Sequence, residues 1–256
     1  MGMNVVVCVK QIPDPAAPQS LEPGTHTLDR SGKLILDDSD AYGVEMALQL
    51  AEQAGGGDVT LVSMAPNGET SGLRTALAMG AASAVLVSDD ALKGADALTT
   101  AKVLAAAIKK SNPDLILTAT ESSDGYTGTV PVQIAELLGL PSITFAKSVV
   151  IEGGNVKVQR QTESGYDDVV APLPLLVTVT AGVVEPRYPS FKGIMAAKSK
   201  PVETVTASDL GIATGAAGQE ITSVVDAEAR AAGEIVVDDG DGAQRIVAFL
   251  EELKLV

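Results

Sequence analysis

The chain contains the run Pro113-Asp114-Leu115-Ile116-Leu117-Thr118-Ala119, which leads through a polar turn into a helical pattern over residues 127–138. An apolar run of this length between turn signals is typical of a strand that is buried on both faces. A strand that leads directly into a helix, and does so repeatedly, predicts right-handed crossovers and a parallel sheet with helices on both sides. The stretch therefore predicts one unit of an α/β fold.

The preceding part of the chain repeats this alternation three times. Each apolar, β-branched run is followed by a helical pattern, and two of these patterns end at glycine, the residue that most readily follows a helix. Together they predict an open, largely parallel sheet of the Rossmann-like or flavodoxin-like type. The predicted strands are residues 4–10, 58–65 and 84–88, and the predicted helices are residues 41–54, 68–79 and 94–110.

After Pro141 the pattern changes to apolar runs separated by short turns. The turn sequences are Gly153-Gly154-Asn155 and Ser164-Gly165, both typical of connections between antiparallel strands. We therefore predict an antiparallel extension of the sheet. Its strands are expected at residues 142–151, 155–162, 166–171 and 175–180.

Two domains are predicted: an α/β nucleotide-binding domain over residues 1–206, and a linker with a C-terminal arm over residues 207–256. Small residues at 213–218 indicate the linker. Residues 221–225 and 234–237 have an extended pattern, and Asp241 is expected to cap a helix over residues 242–253. An arm that follows a linker is more easily explained by packing on a partner subunit than by folding alone, so we expect such a partner.

The composition limits the classes of function. A chain of 256 residues with 46% hydrophobic residues can bury a substantial core, and no uninterrupted apolar run is long enough to cross a bilayer. A net charge of −15 argues against nucleic acid as a partner, because phosphate binding relies on clustered Lys and Arg. Cys8 is the only cysteine and no secretory signal is recognisable, so we expect a cytoplasmic protein.

Ligands of an open parallel sheet bind beyond the carboxyl ends of its strands, where the strand order reverses. Such ends are predicted at residues 8–11, 63–66 and 119–127. The third contains Glu121-Ser122-Ser123-Asp124-Gly125-Tyr126-Thr127-Gly128, whose glycines and hydroxyls suit a phosphate at a helix N-terminus. This is neither a Walker A loop nor the dinucleotide fingerprint, and a tight turn with a helix cap explains it about equally well.

No residue is predicted to be catalytic or to bind a metal. Cys8 lies in an apolar strand without a partner cysteine, which is typical of a small core residue. His26 is the only histidine, and nothing indicates a catalytic triad around it. Two aspartate groups lack the spacing of a calcium loop and are explained as solvated residues at helix starts; they are Asp37, Asp38 and Asp40, and Asp238, Asp239 and Asp241.

The most unusual stretch is Val184-Glu185-Pro186-Arg187-Tyr188-Pro189-Ser190-Phe191-Lys192-Gly193-Ile194-Met195-Ala196-Ala197-Lys198-Ser199-Lys200-Pro201, hereafter the 184–201 segment. Its three prolines and Gly193 argue against a long regular element. Apolar anchors with a local positive field are typical of a protein-docking element, but a connection that packs Phe191 and Met195 on its own domain is an equally good explanation. The apolar residues are Tyr188, Phe191, Ile194 and Met195, and the cations are Arg187, Lys192, Lys198 and Lys200.

The same segment closely resembles the signature of the beta subunit of electron transfer flavoprotein. The resemblance rests on Glu185-Pro186-Arg187-Tyr188-Pro189 and on Lys192-Gly193-Ile194-Met195-Ala196-Ala197-Lys198. It extends over residues 1–206, with further matching motifs at Val9-Lys10-Gln11-Ile12-Pro13-Asp14, Arg74-x-Ala76-Leu77-Ala78-Met79-Gly80-Ala81 and Asp124-Gly125-x-Thr127-Gly128.

The resemblance implies an adenine nucleotide in this chain, usually AMP with a structural role, or a second FAD in electron-bifurcating members. Relatives often have Asn-Pro-Phe-Asp where this chain has Asp37-Asp38-Ser39-Asp40, and their loop after Ala119 is often longer. These departures leave the contacts and the choice of nucleotide open. The implied cofactor-binding residues are Cys8, Asp37, Asp38, Ser39, Asp40, Met64, Ala119, Thr120, Glu121, Ser122, Ser123, Asp124, Gly125, Tyr126 and Thr127.

The resemblance also implies partners. An alpha subunit would hold most of the FAD that carries the electrons, and flavin-dependent dehydrogenases such as acyl-CoA dehydrogenases would dock on the 184–201 segment. This chain would then be a non-catalytic electron-carrier subunit. The implied docking residues are Glu185, Arg187, Tyr188, Phe191, Lys192, Ile194 and Met195.

Two alternative functions, a nucleotide-binding regulator and a hydrolase, belong to other classes of protein. A stand-alone regulator of the universal-stress type would carry Gly-x2-Gly-x9-Gly before Ser or Thr; Gly125 and Gly128 fit, but Leu138 stands where the third glycine belongs. An adenine-nucleotide hydrolase would need a nucleophile or general base, and the sequence offers no convincing one. We therefore favour the electron-carrier subunit.

Overall fold

The computed structural model of the chain describes residues 2–215, 218–225, 227, 233 and 235–256. Within these ranges the chain forms eleven strands and six α-helices, together with two short 3-10 helices. The strands are β1 (Val5–Cys8), β2 (Gln11–Pro13), β3 (Leu34–Leu36), β4 (Val59–Met64), β5 (Ser83–Val87), β6 (Leu115–Ala119), β7 (Ser142–Glu152), β8 (Asn155–Thr162), β9 (Gly165–Pro172), β10 (Leu175–Val179) and β11 (Val202–Val205). The helices are α1 (Asp38–Gln53), α2 (Ser71–Met79), α3 (Ala97–Lys109), α4 (Val130–Leu138), α5 (Phe191–Ala197) and α6 (Gly242–Glu252).

One nine-stranded sheet organises the part of the chain that the structure describes up to residue 222. Its strand order is β11-β5-β4-β1-β6-β10-β7-β8-β9, and the strands from β11 to β7 run parallel. β1 lies between β4 and β6, with Val5 opposite both Val59 and Leu115. The chain thus proceeds outward from β1 in one direction and then returns to its other side, so the strand order reverses between β1 and β6.

Alternate side chains of the central strands enter two different cores, because successive residues of a strand point to opposite faces. Val5 and Val7 pack in the core beneath α1 and α2, whereas Val6 packs in the core beneath α3 and α4. All three valines are fully buried. Strands covered on both sides in this way can present polar groups to a ligand only beyond their ends.

The predicted fold class is confirmed. The α/β alternation, the parallel sheet and its antiparallel extension β7-β8-β9 are all present, and β8 has the predicted bounds. The prediction that residues 175–180 belong to the antiparallel extension is wrong. β10 lies between β6 and β7 and runs parallel to both, and it is buried on both faces as a central parallel strand is. Helices α2, α3 and α4 begin about three residues later than predicted. In each case the intervening residues form the turn that enters the helix.

The 184–201 segment contains a helix, α5, that the sequence did not predict. Ser190 caps it by accepting a hydrogen bond from the Gly193 N–H at 3.1 Å. Gly193 faces α2 so closely that a Cβ there would overlap the Ala78 carbonyl oxygen. A single glycine therefore allows this short helix to form by close packing, which propensity alone does not reveal.

Residues 223–256 form a separate compact unit that contains α6. The prediction that the Asp241 side chain caps this helix is wrong: it accepts from Arg245 Nε at 3.0 Å, while the Asp238 carboxylate accepts the Gly242 N–H at 2.9 Å. The described residues of the two predicted extended stretches form no strand. Ala216, Ala217 and Glu234, which fall in the predicted linker and in the second stretch, lie outside the described residues.

The division into a domain over 1–206 and an arm that packs on a partner stays a prediction. Among the helices that the structure describes, none is long and apolar enough to cross a membrane.

Replacing Gly193 with Ala should lower the free energy of unfolding by about 1–3 kcal/mol, because the added methyl group forces α5 away from α2. Gly43 in α1 is the matched control: a Cβ there lies 3.5 Å from Val7 Cγ1, which is ordinary contact. Gly43→Ala should be neutral or stabilising by up to about 1 kcal/mol. Denaturant unfolding of both variants tests this; equal effects would contradict the close packing of α5.

Candidate functional site

The carboxyl ends of β1, β4 and β6 meet at one edge of the sheet, beside the point where the strand order reverses. Cys8, Met64 and Ala119 are the last residues of these three adjacent strands. The structure therefore brings together three separate stretches that the sequence assigned to one site. Their polar neighbours come from the start of α1 and from the loop between β6 and α4.

Asp37 connects the end of β1, the start of α1 and the loop between β6 and α4 through hydrogen bonds. It has no exposed surface, and its carboxylate accepts from the Ser39 N–H at 3.0 Å, from the Ser123 N–H at 2.7 Å and from the Ser123 hydroxyl at 3.0 Å. Its own N–H donates to the Lys10 carbonyl at 3.0 Å. Asp37 thus caps α1 and fixes the loop after β6 to the end of β1, with its carboxylate satisfied by protein donors.

Asp40 is the second buried carboxyl group of the site. It accepts the Lys10 N–H at 2.6 Å and is only 6% exposed. Burial raises the pKa of Asp40 well above its ordinary value, and the negative charge of Asp37 adds to this effect. The surroundings of Asp40 at the start of α1 therefore favour its protonated form more than those of an exposed carboxyl group do.

Asp124 connects the loop after β6 to two cations. Lys10 Nζ lies 2.7 Å from its Oδ1 and also donates to the Ser122 hydroxyl at 3.2 Å, while Arg30 forms an ion pair with its Oδ2. Burial alone would raise the pKa of Asp124, but the positive charges of Lys10 and Arg30 outweigh this and lower it. The β2–β3 connection, which carries Arg30, is thereby tied to the candidate site.

The loop between β6 and α4 contains a tight turn. Ser122 accepts the N–H of Tyr126 through its carbonyl at 3.0 Å, and Tyr126 and Gly128 both have positive φ. Thr129 occupies the N-cap position of α4 without a side-chain capping bond. The side chain of the cap residue therefore accepts none of the backbone N–H groups in the first turn of α4, and Pro131 in that turn has no N–H to donate.

The remaining predicted residues are placed as follows. Asp38 is exposed at the start of α1, and Ser39 is half-buried beside it. Thr120 donates to the Val179 carbonyl at 3.2 Å, Glu121 is half-buried, and Thr127 is exposed. Burial raises the pKa of the Cys8 thiol to about 12, so Cys8 is a neutral thiol at physiological pH.

The 184–201 segment places its apolar side chains in solvent. Tyr188 is 92% exposed and Phe191 is 80% exposed, while Ile194 and Met195 are half exposed. Phe191 therefore does not pack on its own domain, which was one of the two explanations left open by the sequence. These four residues are called the apolar surface of α5 below.

Two of the four cations of this segment bind the chain's own groups. The Arg187 guanidinium contacts Glu45 at 2.6 and 3.0 Å, and Lys200 donates to the carbonyls of Leu77 and Ala81 at 2.8 and 2.6 Å. Burial lowers the pKa of Lys200. The predicted field of four cations is thus reduced to Lys192 and Lys198, both of which are exposed.

The sequence did not identify four residues that organise these sites. Lys10 and Arg30 lie far from Asp124 in the chain, and Glu45 and Arg74 are equally remote from the 184–201 segment. Lys10 and Arg74 each stand in a motif quoted above for the resemblance, which was the one signal available for them. Nothing in the local pattern indicates the partners of the other two.

Polar side chains beside the switch point of a doubly wound parallel sheet define the class, which is a Rossmann-like α/β protein. Comparison with known proteins identifies the family. A sequence model of the electron transfer flavoprotein domain matches residues 25–210. The chain belongs to the electron transfer flavoprotein family and groups there with the beta subunits.

Several curated relatives match along nearly their whole length. The electron transfer flavoprotein subunit beta of Mycobacterium tuberculosis is 38% identical over 264 residues, covering 99% of both chains. The subunit of the same name from Megasphaera elsdenii is 36% identical and covers 99% of this chain and 98% of its own. A protein of Acetobacterium woodii named Caffeyl-CoA reductase-Etf complex subunit CarD is 38% identical over 84% of this chain and 83% of its own.

We expect the contribution of Asp40 to the free energy of unfolding to decrease as the pH rises. Because its pKa is raised on folding, its contribution is fully present below about pH 4 and is lost as the pH rises through the native pKa. Asp40→Asn keeps an oxygen for the Lys10 N–H and removes the ionisation, so this decline should disappear. Denaturant unfolding between pH 4 and 8 measures it, at about 1.4 kcal/mol for each unit between the native and unfolded pKa.

Asp124→Asn is the matched control, because the shift there has the opposite sign. The lowered pKa of Asp124 gives stability that is present above about pH 4 and lost as the pH falls through the native pKa. Its replacement should therefore alter the acid limb only. If Asp40→Asn leaves the pH dependence of the free energy of unfolding above pH 4 unchanged, the pKa of Asp40 is not raised in the folded protein.

Proposed function

We propose that this chain is the beta subunit of a heterodimeric electron transfer flavoprotein. It accepts electrons from flavin-dependent dehydrogenases, such as acyl-CoA dehydrogenases, through an FAD that the alpha subunit mainly holds, and it carries a structural AMP. The observation that carries the proposal is the match to beta subunits over 99% of both chains. In this role the chain is a non-catalytic electron-carrier subunit of the cytoplasm.

The residues at the sheet edge fit an adenine nucleotide. Phosphate would lie at the first turn of α4, where the side chain of the N-cap residue Thr129 accepts none of the backbone N–H groups. Lys10 and Arg30 add positive charge next to this loop and offset Asp124. The nucleotide's adenine and ribose would contact the strand ends at Cys8 and Met64.

Asp37 supports the proposed nucleotide site without contacting the nucleotide. Its carboxylate is already occupied by Ser39 and Ser123, so we assign it the role of holding the loop and not of contacting the nucleotide. The same applies to Asp40, whose carboxyl accepts the Lys10 N–H. The departure from the Asn-Pro-Phe-Asp pattern of relatives is thereby compatible with a nucleotide site.

The apolar surface of α5 supports dehydrogenase docking. An aromatic side chain that is 80% exposed at the start of a capped helix costs solvation free energy unless a partner covers it. Phe191, Ile194 and Met195 give such a partner an apolar anchor, and Lys192 gives it a cation. An electron-transfer encounter needs only a small interface of this kind.

A second candidate is an electron-bifurcating flavoprotein, in which this chain holds an FAD of its own. It is favoured by the similarity to a subunit of a caffeyl-CoA reductase–Etf complex. The two candidates differ in the nucleotide that this chain binds.

The nucleotide content of the complex distinguishes them. The chain should be co-expressed with its alpha subunit, the complex denatured, and the released FAD and AMP quantified by chromatography. One FAD and one AMP per heterodimer are expected. Two FAD without AMP would favour bifurcation, and ATP bound to a chain that forms no complex would contradict both.

Two glycine variants of α4 and its preceding loop test the proposed nucleotide site. Gly128 has a φ of +63° and a Cβ there would lie 3.3 Å from Glu121 Oε2, so Gly128→Ala should reduce the AMP retained by the purified complex. Gly139 at the other end of α4 has a similar φ of +67° with nothing near its Cβ position. Gly139→Ala therefore reproduces the backbone strain alone, and equal AMP loss in both variants would argue against the site.

Replacing Phe191 with Ala should weaken docking of a dehydrogenase while the heterodimer stays folded. We expect the apparent KM for the flavoprotein in a dehydrogenase assay to rise about 10-fold or more, as for other buried aromatic anchors. Leu98→Ala is the control, because Leu98 is a half-exposed apolar residue on α3, across the sheet from α5. Parallel loss of heterodimer and docking, or an unchanged KM, would refute the role of Phe191.

A further inference from the structure

We propose that Glu45 is a positioning residue for docking: it holds the 184–190 stretch through Arg187 and thereby presents Phe191 to the partner in a fixed orientation. The proposal rests on the docking role given above to the apolar surface of α5. It assigns to a buried residue of α1 control over how well that surface binds.

The 184–190 stretch has few means of holding itself in place. Pro186 and Pro189 lack N–H groups, and the stretch belongs to no helix or strand. Over the described chain, a single backbone N–H between residues 184 and 190 donates a hydrogen bond, from Arg187 to Glu45 Oε2 at 3.2 Å. The conformation of the stretch therefore depends on what Arg187 binds.

Glu45 binds Arg187 as a fork. Arg187 Nε lies 2.6 Å from Oε2 and Nη2 lies 3.0 Å from Oε1, so the two planar groups face each other with paired bonds. Glu45 is only 3% exposed, and Gln49 donates a further hydrogen bond to its Oε1 at 2.8 Å. Burial alone would raise the pKa of Glu45, but the bonds from Arg187 and Gln49 outweigh it and lower that pKa.

The other end of the segment is held independently. Arg74 donates to the carbonyls of Ala197 and Lys200 at 2.7 and 2.8 Å, and Gly193 packs against α2. The C-terminal part of α5 is thus fixed without Glu45. The approach to Phe191 from its N-terminal side lies between Val184, which packs on the core, and the cap residue Ser190, and the Arg187 fork is the polar contact that holds it there.

Preorganisation of this kind lowers the ordering cost of binding and leaves the contact residues unchanged. Loss of the fork should therefore weaken docking while the apolar surface of α5 keeps its composition. The variant of choice is Glu45→Gln, because removing Arg187 instead would leave a buried carboxylate without its cation and destabilise the fold itself. Arg187→Lys is the second variant, since it keeps the charge but cannot form the fork.

The control is Glu52→Gln. Glu52 also lies beside Arg187, with Oε1 3.4 Å from Nη1, but its side chain is 66% exposed. An exposed ion pair at this distance contributes little to stability. Glu52→Gln therefore tests whether the removal of any negative charge near Arg187 changes exchange and KM as Glu45→Gln does.

The experiment uses the complete heterodimer with its alpha subunit. Hydrogen–deuterium exchange followed by mass spectrometry reports the peptides that contain residues 184–197, and a dehydrogenase assay reports KM and kcat for the flavoprotein. For Glu45→Gln and Arg187→Lys we expect exchange at the backbone N–H of residue 187 to be about 10-fold faster, while the N–H groups of α5 keep their exchange rates. KM should rise about 3- to 10-fold, with kcat unchanged. Glu52→Gln should match the wild type.

Unchanged exchange in the 184–197 peptides would overturn the proposal, and so would faster exchange throughout the chain, which indicates general destabilisation. Faster local exchange with an unchanged KM would overturn it as well, provided that Phe191→Ala raises KM in the same assay. If Phe191→Ala leaves KM unchanged, the docking role of the segment is refuted, and so is the effect of Glu45 on docking. The exchange measurement then still decides whether Glu45 holds the 184–190 stretch in place.

Discussion

The burial of the parallel sheet on both faces constrains everything else in this structure. Val6 and Val7 are fully buried, yet they enter opposite cores, so neither face of β1 can carry a polar group. Binding chemistry is therefore displaced to the strand ends and to the helices that start there. The reversal of strand order between β1 and β6 sends the following crossovers to opposite sides, so the polar residues at the carboxyl ends of β1, β4 and β6 lie beside the switch point.

The main features of the fold could be predicted because each rests on local pattern. Apolar β-branched runs and glycine stops indicated the strands and helices of the first half of the chain, and the turn at Gly153-Gly154-Asn155 indicated the β7–β8 hairpin. Strand ends that meet at one edge follow from parallel topology alone. The sequence therefore located Cys8, Met64 and Ala119 correctly at that edge.

What could not be predicted depends on contacts between distant residues. α5 has only seven residues and contains a glycine, and it exists because Gly193 lets it approach the Ala78 carbonyl. The ion pairs of Asp124 with Lys10 and Arg30 join parts of the chain that no periodicity relates. The exposure of Phe191 likewise follows from how α5 lies on α2, and not from the composition of the segment.

The charges of the 184–201 segment illustrate the difference between composition and structure. Four cations in an acidic chain indicate a positive surface, but Arg187 pairs with Glu45 and Lys200 binds carbonyls at the end of α2. These two cations stabilise the position of the segment, whereas Lys192 and Lys198 remain exposed. The surface offered to a partner is consequently more apolar than its sequence indicates, with charge confined to its edges.

Helix α1 relates the two sites to each other. Its N-cap Asp37 holds the loop after β6, and Glu45, eight residues further on, holds the 184–190 stretch, a separation of roughly 12 Å along the helix. Both carboxylates are buried, and each is satisfied by donors from a segment that has little structure of its own. Since a helix is stiff over two turns, the loop between β6 and α4 and the 184–190 stretch are both anchored to the same rigid helix. The orientation of each therefore follows from how α1 lies on the sheet.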